Sequence, residues 1–213
     1  MKRKTLSLRQ KTKISQKLPA EYHDKIIEFQ KYIIKQRTEK DFSMNLIGNM
    51  DETPMCFDMP YNTTVDKKGQ KTIMIKTTGH EKTHFTVVLA CMANGDKLSP
   101  MVIFKRKLIP KEKFPAGVVI HVHPKGWMDE EGVILWINKV WSRIHSSLST
   151  RRKPALLVWD QFRSHLTDLV KKRLKVEETT QAVIPGGLTG MLQSLDVCLN
   201  KPFKAKMRAL WHA

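Results

Sequence analysis

Three aspartates in this sequence stand where apolar segments end. Asp51 and Asp160 each close a run that is typical of a buried strand, and Asp196 stands where a helix begins. Burying an unpaired charge is costly, so each carboxylate must face a partner, a metal ion or solvent. Carboxylates that meet at one sheet edge repel one another and become stable when they hold a divalent cation. Two such ions about 3.5–4 Å apart promote phosphodiester cleavage, and this is the chemistry that the three residues predict.

The elements that position these aspartates follow from the hydrophobic pattern. Short apolar or alternating runs predict strands at 43–53, 72–78, 85–92, 101–104, 118–123, 155–159 and 180–185. Helical spacing of apolar residues predicts helices at 20–38, 129–144, 166–174 and from 195 onward. Antiparallel strands followed by alternating strands and helices indicate an α/β fold, a mixed sheet flanked by helices. We expect the strands that end on Asp51 and Asp160 to lie side by side, with Asp196 closing the cluster.

Two features of the helix predicted at 129–144 have a structural explanation. Three acids, Asp129 to Glu131, lie at its start, where the helix dipole favours negative charge. Trp136 and Trp141 belong with its apolar stripe, so we expect both rings in the core and not in contact with nucleic-acid bases.

Basic residues exceed acidic ones by a wide margin, which predicts a polyanionic partner. The formal charge is +18, from 38 Lys and Arg against 20 Asp and Glu. Residues 1–40 carry 12 basic and 4 acidic side chains, and residues 151–213 carry 12 and 5, whereas the middle of the chain is nearly balanced. We therefore expect DNA to contact the N-terminal arm, residues 1–18, and the outer face of the 166–174 helix. The candidate contacts are Lys2, Arg3, Lys4, Arg9, Lys11, Lys13, Lys171, Lys172, Arg173 and Lys175.

Several other classes of protein are disfavoured. The three cysteines are widely spaced, which disfavours a zinc site and predicts a reducing compartment. The apolar stretches are too short to span a membrane, and no signal-peptide core follows the basic start of the chain. That basic start is instead typical of a nuclear-import signal. Gly186-Gly187 lacks the spacing of a nucleotide-binding loop, which disfavours a metabolic α/β enzyme.

Four segments of the sequence match a known family in the right order. They are Asn49–Pro54, Trp159–His165, Val183–Thr189 and Leu192–Lys204. Together they resemble the DDE superfamily endonuclease domain of pogo/Tigger-type transposases, a group that includes centromere protein B. The resemblance implies an RNase H-like fold, a nuclear location and metal-dependent cleavage and joining of DNA strands. It also implies a catalytic triad that binds two Mg²⁺ or Mn²⁺ ions, formed by Asp51, Asp160 and Asp196.

Two further positions of the matching segments bear on this triad. The family motif also carries a His after its second Asp, which makes His165 a candidate for orienting that region; a purely structural histidine is the alternative. The family usually has Pro where this chain has Ser194. Because Pro fixes the entry into a helix, its loss is expected to loosen the placement of Asp196.

The resemblance also predicts how the chain is organised. The segment Leu8–Pro19 looks like the part of the family that follows a helix-turn-helix region, so residues 1–40 are predicted to be a basic arm and helix that link to that absent region. Residues 41–213 are predicted to be the RNase H-like domain, truncated at its C-terminus. Two functions stay open: an endonuclease that cleaves and transfers DNA strands, or a domesticated or relic module that binds DNA or chromatin without cutting. DNA is the predicted partner in both, a homo-oligomer is a further one, and no membrane is involved.

Overall fold

A mixed six-stranded sheet forms the centre of the protein. The computed structural model describes residues 5–10, 21–57, 59, 63–73, 83–145 and 152–211. The sheet has the strand order β6-β5-β4-β2-β7-β8, and β1 pairs with β3 in a separate antiparallel ribbon. The strands are β1 (Leu6–Gln10), β2 (Ile47–Cys56), β3 (Thr63–Lys67), β4 (His84–Met92), β5 (Met101–Lys105), β6 (Val119–His123), β7 (Ala155–Trp159) and β8 (Thr179–Val183).

Helices cover both faces of this sheet. They are α1 (Tyr22–Lys40), α2 (Glu130–Lys139), α3 (Asp168–Val176), α4 (Thr189–Leu192) and α5 (Asn200–Trp211). Short 3₁₀ turns lie at Met44–Leu46, Trp141–Ile144 and Arg163–Leu166, and a π-helical turn, Leu195–Leu199, leads into α5. Within the described ranges, no helix combines the length and the apolar character needed to cross a bilayer.

The strand pairing confirms the predicted α/β class. β4 is antiparallel to its two neighbours, β2 and β5. β7 is parallel to both β2 and β8, and β6 is parallel to β5. Most of the strand predicted at 72–78 lies outside the described residues. The first strand, predicted at 43–53, is present as β2 but begins at Ile47 and extends past the predicted end. β2 continues to Cys56 because β4 pairs with it along the whole stretch from Gly48.

The main core lies on one face of the sheet, under α2 and α3. Trp136 and Trp141 are both fully buried there, with ring centroids 5.8 Å apart, as their place in the apolar stripe predicts. The indole N–H of Trp141 donates to Thr179 Oγ1 at 2.8 Å, so its polar edge is satisfied. Asp129 caps α2 by accepting a hydrogen bond from the Gly132 amide at 2.8 Å. The acidic helix start therefore has the structural role that the sequence predicts.

The opposite face of the sheet is covered by α5. Phe203 and Met207 of this helix pack against Met55 and Val87. The neighbouring Val88 belongs to the core under α2. Because successive residues of a strand point to opposite faces, α5 and α2 lie on opposite sides of β4.

The amphipathic helix predicted near the N-terminus is present as α1 and packs lightly. None of its residues is buried, and Ile33 reaches a small cluster that includes Phe42 and Ala182. The Tyr32 hydroxyl donates to the Gln181 carbonyl at 3.0 Å, which ties the helix to the edge strand β8. The preceding basic arm contributes β1, so its residues 6–10 are extended.

Gly48 permits the close approach of Trp141 to β2. A Cβ at position 48 would lie 2.5 Å from Trp141 Cζ3. Because the indole is fully buried and cannot move away, we expect Gly48→Ala to lower the free energy of unfolding by about 1–3 kcal/mol. Urea unfolding followed by circular dichroism measures this loss. Gly190→Ala is the matched control, since no atom lies within 4 Å of the Cβ added there. Equal losses in the two variants would contradict the prediction.

Candidate active site

Asp51 and Asp160 lie on neighbouring parallel strands. The ladder between β2 and β7 pairs Gly48 with Leu157 and Asn49 with Val158. Two residues further along this register, Asp51 is level with Asp160, which directly follows β7. Both aspartates line one cleft of about 380 Å³. The other lining residues are Glu52, Pro54, His84, Thr86, Trp127, Met128 and Phe162.

Asn200 joins Asp51 to Asp196. Its amide nitrogen donates to Asp51 Oδ2 at 2.7 Å and to Asp196 Oδ1 at 2.9 Å. Asp51 and Asn200 are buried, whereas Asp196 is exposed. The four-residue spacing from Asp196 to Asn200 puts both side chains on the helical face that is turned toward β2. Two of the three predicted carboxylates therefore share a single hydrogen-bond donor group.

The electrostatics of this pair favour a positive neighbour. Burial and the charge of Asp196 raise the pKa of Asp51 to about 6. Lys204 lies one turn beyond Asn200, and burial lowers the pKa of its ammonium although the charges of Asp196 and Asp51 act in the opposite direction. Two carboxylates that resist being charged together are stabilised when a cation binds between them.

Asn49 and Gln193 fix the entry to the π-helical turn that carries the third aspartate. The fully buried Gln193 donates to the Met50 carbonyl at 2.8 Å and accepts from Asn49 Nδ2 at 2.7 Å. Asn49 Oδ1 in turn accepts from the Leu195 amide at 3.1 Å. Ser194, the position where the family usually has Pro, has a φ of −57°, which is within the range of proline. These hydrogen bonds hold the turn in place without the pyrrolidine ring.

His165 joins Asp160 to Glu52, a residue that the sequence analysis does not single out. Its Nε2 lies 2.9 Å from Glu52 Oε1, and its Nδ1 lies 3.0 Å from Asp160 Oδ1. The imidazole is fully buried and stacks on Trp159 with ring centroids 4.4 Å apart. Burial disfavours the imidazolium, but the two carboxylates outweigh it and raise the pKa of His165 to about 10. Both ring nitrogens thus have acidic partners, and the cation holds Asp160 in place.

The pKa of Asp160 is shifted in the opposite direction from that of Asp51. Burial alone would raise it, but the hydrogen bond and charge of His165, together with the Phe162 amide, lower the pKa of Asp160 below its ordinary value. The Phe162 N–H donates to Asp160 Oδ1 at 3.0 Å. Asp160 is therefore ionised at neutral pH.

The structure places the predicted triad in two adjoining clusters. Asp51 faces Asp196, and the next residue of the strand, Glu52, points to the other face and reaches His165. In the part of the chain that the structure describes, the metal-ligating groups whose donor atoms all lie within 4.8 Å of one another are Glu52, Asp160 and His165. Asp51 and Asp160 share a cleft, and Asp51 and Asp196 share Asn200, but the three carboxylates are not gathered at one point.

Comparison with known protein families shows the family to which the chain belongs. The family model described as DDE superfamily endonuclease matches residues 82–213. The match covers more than half of the chain and includes Asp160 and Asp196. The chain belongs to the DDE superfamily endonucleases.

The relatives of this DDE domain confirm its resemblance to pogo-type proteins. It is 39% identical over 209 residues to the human protein "Pogo transposable element with KRAB domain", a match that covers 98% of this chain and 34% of the relative. The mouse protein of the same description is also 39% identical over 209 residues. The human "Pogo transposable element with ZNF domain" is 26% identical over 198 residues, which cover 93% of this chain and 14% of that protein. The chain thus spans about a third or less of the length of these relatives.

Solved structures confirm the RNase H-like fold of the DDE domain. The Mos1 transposase paired-end complex with left transposon end superposes with a TM-score of 0.57 and 13% identity, covering 92% of this chain and 53% of that one. The catalytic domain of Mos1 mariner transposase gives a TM-score of 0.54 at 12% identity, over 92% and 76% of the two chains. At this identity the likeness shows the shared fold alone.

The basic residues predicted to contact DNA belong to α3 and to the N-terminal arm. Lys171, Lys172 and Lys175 of α3 are exposed. In the arm, Arg9 lies in β1, where its backbone is paired with Thr64. The other arm residues lie outside the described part of the chain: Lys2, Arg3, Lys4, Lys11 and Lys13.

Arg173 differs from the neighbouring lysines because it faces the protein. It contacts Glu177 at 2.5 Å and donates from Nε to Asn138 Oδ1 at 2.7 Å. Glu177 is fully buried, and its other oxygen contacts Arg152 at 2.5 Å. The two guanidinium groups neutralise this buried carboxylate by charge. Arg173, which was predicted to contact DNA, is therefore not part of the exposed basic face of α3.

Proposed function

We propose that this DDE domain is a divalent-metal-dependent DNA endonuclease that cleaves and transfers strands. In this proposal Asp51, Asp160 and Asp196 hold two Mg²⁺ or Mn²⁺ ions. The main support is the Asn200 amide, which donates hydrogen bonds to both Asp51 and Asp196. Asp160 follows the neighbouring strand and lines the same cleft as Asp51. Solved structures of the Mos1 catalytic domain with Mn and with Mg support the choice of ions.

The residues present fit a hard divalent cation. Asn200 Oδ1 is buried and has no hydrogen-bond partner among the described residues, so an oxygen ligand stands unused beside Asp51 and Asp196. Burial and the charge of Asp196 raise the pKa of Asp51, and a cation bound there would offset both effects. Carboxylate and amide oxygens are the ligands that Mg²⁺ and Mn²⁺ prefer.

The side chains of the domain position the carboxylates that would hold the metal ions. When bound, the metal ions lower the pKa of an attacking hydroxyl and stabilise the charge that develops on the phosphate. Asn200 holds Asp51 and Asp196 in one orientation, and His165 holds Asp160 as an ionised carboxylate. Preorganised ligands of this kind do not have to be ordered at the moment of reaction.

The test is a divalent-metal titration followed by a nicking assay on supercoiled DNA. We expect nicking that requires Mg²⁺ or Mn²⁺ and is lost in Asp160→Asn, a variant that keeps the size of the side chain. Nicking that is independent of metal, or that is unchanged in Asp160→Asn, would overturn the endonuclease proposal.

A DNA-binding domain that does not cut is the second candidate. The observation that favours it is the ion pair of Asp160 with His165, which occupies one carboxylate of the triad. This candidate predicts an affinity for DNA that falls steeply as the salt concentration rises and that does not change in Asp160→Asn. It also predicts no nicking at any metal concentration.

The exposed lysines of α3 provide a prediction that both candidates share. We expect the triple change of Lys171, Lys172 and Lys175 to Gln to weaken DNA binding and to make the slope of log K against log salt shallower by about 2–3. Fluorescence anisotropy at several salt concentrations measures the slope. The control is the same triple change at exposed lysines elsewhere, Lys31, Lys68 and Lys97. If both triple variants show the same slope, α3 is not the DNA-binding face.

The proposed reaction has two further consequences. A domain that acts on chromosomal DNA must reach the nucleus, and the basic start of the chain is consistent with nuclear import. Cutting both ends of a DNA segment requires more than one active site, so we also propose a homo-oligomer on DNA. Fluorescence microscopy of the tagged chain tests the location, and sedimentation with and without DNA tests the assembly.

A further inference from the structure

A groove with aromatic walls lies beside the acidic cleft. It has a volume of about 410 Å³, and three of its lining residues are Phe57, Phe104 and Phe114. The centroids of the Phe104 and Phe114 rings are 5.8 Å apart, and those of Phe57 and Phe104 are 6.5 Å apart with their planes 16° from parallel. Phe85 supports them from behind, with its centroid 4.9 Å from that of Phe57. Phe85 and Phe104 lie in the neighbouring strands β4 and β5, which fix their relative positions, whereas Phe57 and Phe114 lie in the segments after β2 and β5.

The rim of this groove is predominantly basic. Lys105 and Arg106 line it and are exposed, and Glu112 is the acidic residue of the lining. Phe57 is 40% exposed although it is a large apolar side chain. Exposed aromatic faces next to cationic side chains are the combination with which proteins bind unpaired nucleic-acid bases, because the rings stack on the bases and the cations attract the phosphates.

The groove is continuous with the proposed active site. His84 lines both the groove and the cleft that contains Asp51 and Asp160. Trp127 is 57% exposed and lines the same cleft. A DNA strand whose phosphate lies against the aspartates would pass His84 within the next nucleotides and then meet the phenyl rings.

We propose that the groove binds an unpaired base of the DNA strand that lies in the acidic cleft. The volume of about 410 Å³ is in the range of small-molecule sites, so it admits a single nucleotide and excludes a double helix. Its place on the strand path rests on the proposed endonuclease function, whereas its affinity for an unpaired base does not. The flat rings recognise any base by its face, so the site is specific for unpaired DNA and not for a sequence.

The first experiment measures binding in the absence of metal, so that it is independent of cleavage. The probe is a fluorescent single strand of about eight thymidines, titrated in buffer with chelator. Phe57→Leu and Phe114→Leu keep an apolar side chain but lose the flat ring. We expect each to weaken binding about tenfold. Leu108→Ala is the matched control, because Leu108 is 81% exposed in the same loop and does not line the groove. Thermal unfolding of each variant checks that the fold is kept.

The charged rim is tested in the same way. We expect Arg106→Gln to weaken binding of the single strand more than Lys107→Gln, since Lys107 is also exposed but does not line the groove. Binding of a blunt duplex is expected to change less than twofold in the Leu variants. If Phe57→Leu and Phe114→Leu bind the single strand within twofold of the wild type, the groove proposal is overturned.

The nicking assay separates failure of the groove from failure of the proposed function. If the wild type binds the single strand tightly, the Leu variants lose this binding and the protein never nicks DNA, the groove proposal stands and the endonuclease proposal is overturned. If the protein nicks DNA in a metal-dependent way but the Leu variants bind the single strand as well as the wild type does, only the groove proposal is overturned.

Discussion

Asp51→Asn is expected to abolish nicking and yet to make the metal-free protein more stable at pH 7. The loss of activity is expected to be about 10³-fold or more, because the variant removes a charged ligand from a site that acts as a unit. The gain in stability has a separate cause. Asp51 is 7% exposed and its pKa is raised to about 6, so at neutral pH the fold holds a carboxylate that would be more stable in water.

The sign of the pH dependence follows from this raised pKa. The protonated carboxyl favours the folded state, so its contribution is fully present below about pH 4 and is lost as the pH rises through about 6. At pH 7 the ionised group destabilises the fold by about 2–3 kcal/mol. Asn is uncharged and close in shape, and it can still accept the hydrogen bond from Asn200. We therefore expect Asp51→Asn to recover most of that free energy.

Urea unfolding of the chelated protein at pH 4, 5, 6 and 7 measures this effect. The wild type is expected to lose stability relative to Asp51→Asn across this range. Asp168→Asn is the control, because the Asp168 side chain is 89% exposed and its change is expected to leave stability within about 0.5 kcal/mol. If the free energies of unfolding of the wild type and of Asp51→Asn changed with pH in parallel, burial would not destabilise the charged form of Asp51.

Some parts of this site follow from the hydrophobic pattern of the sequence, and others do not. Apolar runs fix which segments become strands, and the order of strands and helices fixes which of them pair, so the adjacency of Asp51 and Asp160 was predictable. The role of Asn200 was not, because an amide four residues after an aspartate in a helix has no periodic signature. The matching segments do contain Asn49, Gln193 and Asn200, and polar residues inside an otherwise buried stretch are the signal that a buried network leaves in a sequence.

The role of Glu52 could not be predicted because it depends on the length of β2. The strand predicted at 43–53 includes Glu52, but its run was interpreted as closing on Asp51, so Glu52 received no role. Because β4 pairs with β2 from Gly48 to Cys56, Glu52 lies within the strand and points away from Asp51, toward His165. A strand's length depends on its partner strand, and this information is remote in the sequence.

His165→Gln is expected to lower the free energy of unfolding by about 3–5 kcal/mol at pH 7. The imidazolium is fully buried between Glu52 and Asp160, and its removal leaves two carboxylates without their cation. Gln retains a donor for one of them but carries no charge. It also loses the stacking of the ring on Trp159.

The pH profile distinguishes this charged histidine from a neutral one that only fills space. The raised pKa of His165 means that its contribution is fully present below about pH 6.5 and is lost as the pH rises toward about 10. The difference in stability between the wild type and His165→Gln should therefore be largest at pH 6.5 and shrink at pH 8 and 9.5, as measured by urea unfolding with chelator present. His23→Gln, a change at an exposed position of α1, should show no such trend. A constant difference across this range would mean that His165 is neutral and that packing alone explains the loss, and Asp160 would then be held in place by hydrogen bonds without a cation.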